Sequence, residues 1–145
     1  MSDSVSAWLL KTGGAVDLAL GNAHLVQLLD EAKYFPVPAA PLYARSVLLW
    51  QEQVLAVLDP HAWLFGSRQP DAKFVAVVAY QLEPMAPLKH GAIALSEAPQ
   101  SIEVKDDMAC SIEQALPETV QASCISSFAL DGHTVLVPDL AKIFE

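Results

Sequence analysis

One pattern occurs twice in this chain: strand, polar tip, strand, capped helix. It constrains the fold more than any other feature. In the first copy, Val47-Leu48-Leu49-Trp50 and Val54-Leu55-Ala56-Val57-Leu58 flank the polar tip Gln51-Glu52-Gln53. Both runs are too short for ordinary helices and rich in Val and Leu, so a β-hairpin is expected even though the tip lacks Asn-Gly or Asp-Gly. Asp59 then stands where a helix N-cap belongs, with Pro60 at the first helical position, where a missing N–H is harmless. Gly66 suits the left-handed residue that ends such a helix. The second copy runs from Phe128 through Asp131-Gly132 to Val137, and Asp139 is placed to cap a terminal helix with Leu140, Ile143 and Phe144 on its apolar face. Asp59 and Asp139 stand 80 residues apart and the apolar patterns before them superpose. Such an internal repeat implies two similar β-rich lobes rather than one sheet.

The other apolar stretches are also strand-sized. Ala7 to Leu10 and Val16 to Leu20 predict a first hairpin turning at Gly13-Gly14. His24 to Glu31 reads equally well as a strand or as a helical turn with Leu25, Leu28 and Leu29 inward. Pro36, Pro38 and Pro41 hold Phe35 to Pro41 extended, as a stiff connector. Phe74 to Leu82, Gly91 to Leu95 and Ser101 to Val104 read as strands of the second lobe, and Ala109 to Leu116 is ambiguous. The expected fold class is all-β with a few short helices.

Composition removes several functions. The formal charge of −9, with 8 basic against 17 acidic residues and no basic cluster, argues against a nucleic-acid partner. The longest continuous apolar run, Phe74 to Tyr80, falls far short of the roughly 20 residues that cross a bilayer, so no membrane insertion is expected. The first residues lack a charged region before their short apolar run, so no signal peptide is expected. Cys110 and Cys124 have neither metal-like nor redox-like spacing and are expected to be reduced thiols in the cytoplasm. His24, His61, His90 and His133 are scattered, and no metal site, cofactor or catalytic residue is expected. Asp59 and Asp139 each have a sufficient role as structural caps, worth about 1 kcal/mol. Trp50 and Trp63 suit either core packing or an interface anchor.

Several stretches resemble the CheW-like domain family, which comprises chemotaxis coupling proteins and the regulatory domain of CheA-type histidine kinases. Val37-Pro38-Ala39-Ala40-Pro41-Leu42-Tyr43 is similar to that family's Val-Pro-x-x-Pro-x-Tyr, and Leu25-Val26-Gln27-Leu28 to its Val-x-Glu-Ile. The hairpin keeps Val47, Val57 and Asp59 of the signature and has the aromatic Trp50 within it, while Gln51-Glu52 replace the usual Arg-Gly. The resemblance implies a single domain over residues 1–145, made of two intertwined five-stranded β-barrel lobes related by a pseudo-twofold. It implies a non-enzymatic adaptor joining a CheA-type kinase regulatory domain to a chemoreceptor cytoplasmic tip. Leu25, Gln27, Tyr43, Val47, Trp50 and Gln51 are then the partner-binding residues, all but Trp50 lining a cleft between the lobes. Replacing Arg by Gln removes a five-donor cation, which points toward a divergent branch such as a pilus-motility pathway. Two alternatives of another class are a small cysteine-dependent enzyme and a sensor binding a small ligand.

Overall fold

The computed structural model describes residues 4–12, 16–30, 33–40, 44, 46–66, 73–105, 109–110, 118–130 and 133–144. The strands are β1 (Ser4–Leu10), β2 (Val16–Gly21), β3 (Leu25–Leu29), β4 (Tyr34–Pro36), β5 (Ser46–Trp50) and β6 (Gln53–Leu58) in the first half. The second half adds β7 (Phe74–Tyr80), β8 (Lys89–Leu95), β9 (Gln100–Lys105), β10 (Ala109–Cys110), β11 (Cys124–Leu130) and β12 (His133–Pro138). Among the described residues three short helices accompany them: α1 (Pro60–Phe65), α2 (Glu118–Ala122) and α3 (Leu140–Phe144).

The strands form two six-stranded sheets. Sheet I runs β9-β1-β2-β12-β11-β10, and sheet II runs β3-β7-β8-β6-β5-β4. Every strand of one sheet is replaced in the other by the strand six places away in the chain. The expected two-lobe repeat is therefore present, with short closing strands β4 and β10 at one edge of each sheet. One expectation fails. Phe74 to Leu82 and Gly91 to Leu95 were assigned to the second lobe, yet β7 and β8 pair with β3 and β6 of the first. In return β2 pairs in parallel with β12. Each half of the chain thus lends one hairpin to the other half's sheet.

This exchange explains the unbroken apolar run of β7, because both of its faces are buried. Ala76, Val78 and Tyr80 join a shared cluster with Leu18 and Leu136 of sheet I, while Val75 and Val77 turn to an inner cluster with Leu48, Trp50 and Leu55. Sheet I has its own inner cluster of Leu9, Ala19, Phe128 and Val135. Both tryptophans of the first repeat unit are buried: Trp63 of α1 belongs to the shared cluster and Trp50 to that of sheet II.

Both caps form. Asp59 Oδ1 accepts from the Ala62 N–H at 3.2 Å, and Gly66 ends α1 in the left-handed region at φ 79°. Asp139 Oδ1 accepts from the Ala141 N–H at 3.1 Å. Leu25 to Leu29 resolve as a strand after a 3-10 turn at Asn22–His24. Phe35 and Pro36, expected within a connector, instead pair with β5, together with Tyr34 before them. The turns expected at Gly13-Gly14 and Asp131-Gly132 lie outside the described residues.

A candidate partner-docking end on sheet II

The β5–β6 hairpin turns in two residues, not three, since Gln53 already pairs with Trp50. Gln51 and Glu52 both hold positive φ, 47° and 64°, as a two-residue type I′ turn requires. Neither is the Gly, Asn or Asp that carries this geometry cheaply, so the tip is strained.

Beneath the tip, Trp50 is only 8% exposed. Its indole Nε1–H donates to Gln27 Oε1 at 3.0 Å, and its ring lies 5.2 Å from His90. Since β3 and β5 are not neighbours in sheet II, the hydrogen bond requires the sheet to curl until β3 faces β5. Trp50 plugs the open end of that curl.

The outer face of the same hairpin is apolar. In cross-strand register Phe35 lies beside Val47, Val47 beside Ala56, and Leu49 beside Val54. Leu49 and Val54 are 63% and 70% exposed. Lys33 Nζ sits 5.5 Å from the Phe35 ring centroid, so a cation borders the patch. The β7–β8 connection begins near the same end. Its Glu83–Ala86 turn closes through Ala86 N–H to Glu83 O at 3.1 Å, with Met85 at φ 73° and almost fully exposed. A contiguous apolar face beside an ordered polar tip suits reversible docking of another protein.

Chemistry finds less support. Burial pushes the Cys124 thiol up to about 11, which leaves little thiolate for attack at neutral pH. Among the described residues no group of three or more His, Cys, Asp or Glu could hold a metal ion. No helix among them is long and apolar enough to cross a membrane.

A family model for the CheW-like domain matches residues 7–145. The chain belongs to the CheW-like domain family. Its fold is also that of the crystal structure of the scaffolding protein TtCheW from Thermoanaerobacter tengcongensis, at a TM-score of 0.75. That match covers 99% of this chain and 89% of TtCheW at 8% identity, so the likeness lies in the fold and not in shared side chains. No curated protein matches the chain in sequence.

Of the residues that resemblance to CheW-like domains singled out, the structure joins Gln27 directly to Trp50 and sets Gln51 just above them. Trp50 itself is a core side chain, so it cannot be a direct docking contact without opening the lobe. Leu25 packs against the shared cluster. Val47 faces the opposite side of β5 from Trp50, on the outer apolar face. Tyr43 lies outside the described residues. Sequence reasoning missed Phe35, Leu49 and Val54. For Leu49 the unbroken apolar run of residues 47–50 signalled that both faces of the strand are apolar, but not which of them faces out.

Proposed function

We propose that this protein is a non-enzymatic coupling adaptor in bacterial chemosensory signalling, acting in the cytoplasm between a CheA-type histidine kinase and chemoreceptors. The observation that carries this reading is the CheW-like family match over residues 7–145, nearly the whole chain. The outer face of β4, β5 and β6 docks the kinase's regulatory domain through Phe35, Leu49 and Val54. The Gln51-Glu52 tip, with Gln27 beneath it, meets the receptor, while Val47 belongs to the outer face beside Phe35. A tip without Arg adapts the protein to a divergent receptor, as in a pilus-motility pathway.

The test is a binding titration against purified CheA-type regulatory domains from the same cell. Micromolar binding is expected, and Leu49→Glu or Val54→Glu should weaken it at least about tenfold without lowering the melting temperature, because both side chains are exposed. Absence of any binding at micromolar concentration overturns the coupling role. Full affinity in both variants overturns the assigned face.

A further inference from the structure

The repeat allows the plugged end of sheet II to be compared with its counterpart in sheet I, residue by residue. Trp50 and Gln53 are the last pair of the β5–β6 hairpin, and Leu130 and His133 the last pair of β11–β12. Leu130 follows Trp50 by the same 80 positions that separate the two capping aspartates. Gln27 pairs with Val77 and Gln100 with Leu9, and Val77 and Leu9 lie opposite Ala92 and Ala19 in the inner clusters of their own sheets. Gln100 therefore holds the place of Gln27. Asp17 pairs with Val135, and stepping the Val57–Ala92 pair back by two sets Leu55 beside His90, so Asp17 holds the place of His90.

The two ends are filled differently. In sheet II an indole occupies the mouth, donating to Gln27 and packing on His90. In sheet I the smaller Leu130 stands there instead, and a cavity of about 260 Å³ has Leu9, Leu130, Val135, Asp17, Gln100 and His133 in its lining. That volume lies below the roughly 300 Å³ at which drug-sized pockets begin, so it fits a fragment-sized molecule. Lys11 Nζ lies 3.4 Å from Asp17 Oδ2 and offsets that buried carboxylate.

We propose that this cavity binds a small indole. Its aromatic body takes the position that Trp50 takes in the other sheet, and its ring N–H donates to Gln100. Sheet II of the protein itself supplies the template for the bound geometry.

Indole is the probe, titrated into the full chain and followed through backbone amide signals. Saturable binding with a dissociation constant below about 5 mM is expected, with the shifts centred on Leu9, Leu130 and Val135. Leu130→Trp rebuilds the plug and should weaken binding at least about tenfold. Gln100→Leu, at an exposed position, should weaken it about threefold or more, and it decides the matter if Leu130→Trp does not fold. The proposal is overturned by lack of saturation, by shifts centred on Trp50 and Val77, or by unchanged affinity in folded Leu130→Trp or in Gln100→Leu.

Discussion

Trp50 and Gln27, 23 residues apart in sequence and on strands that do not pair, are joined by a 3.0 Å hydrogen bond from indole nitrogen to amide oxygen. Removing the acceptor leaves a part-buried N–H without its partner. Gln27→Leu should therefore cost about 1 kcal/mol of stability in urea unfolding. Gln27→Glu keeps an acceptor at the same reach and should cost clearly less. Equal losses in the two variants would mean that the bond contributes nothing.

The strained tip gives a prediction of opposite sign. Glu52 sits at φ 64°, where a Cβ is unfavourable and glycine is not. Glu52→Gly should raise the stability by about 1 kcal/mol, read from the denaturant midpoint at unchanged slope. A lower midpoint would show that the Glu52 side chain holds the turn. The usual Gly of the CheW-like signature falls at this position, and backbone geometry alone is a sufficient reason for it.

Gly91 carries the C-terminal helix. A Cβ there would lie 2.7 Å from ring atoms of Phe144, whose ring stacks on Tyr80 at 5.6 Å between centroids. Gly91→Ala should cost about 1–3 kcal/mol through overpacking. In a Phe144→Ala background the same change should cost much less, giving a measurable coupling in a double-mutant cycle. Strictly additive losses would place the strain elsewhere.

Cys124 sets a direction for alkaline pH. Its thiol is raised from 9.0 to about 11 by burial, so the unfolded chain gives up this proton before the folded one does. Its contribution to stability is complete below pH 9 and is lost as the pH rises toward about 11. Unfolding midpoints measured across that window should fall more steeply for the wild type than for Cys124→Ala. Parallel curves would sink the assignment.

Much of the local architecture was legible in the sequence. Asp59-Pro60 and Gly66 mark the start and stop of α1 because capping chemistry is local, and the same grammar located α3 behind Asp139. Lobe membership was not legible. The residues of β7 and β8 follow the first repeat unit in sequence, but what assigns them to sheet II is pairing with β3 and β6, and no residue encodes that partner choice on its own. The site divides in the same way. Gln27, Trp50 and Gln51 could be named one by one, whereas the bond joining the first two depends on sheet curvature. Phe35 was hidden among prolines that suggested a connector. Leu49 and Val54 were hidden in runs apolar on both faces, where periodicity carries no sign of which side faces out.

The reciprocal loan of hairpins has a consequence for how the molecule comes apart. A chain severed after Gly66 would leave β1 and β2 on one fragment and the other four strands of their sheet on the other, with the converse true of β7 and β8. Neither piece could saturate its own backbone hydrogen bonds, so neither lobe has a stable existence independent of its twin. Two such fragments mixed together would have to reassemble as a heterodimer or remain unstructured. Heating the intact protein should melt both lobes in one cooperative step.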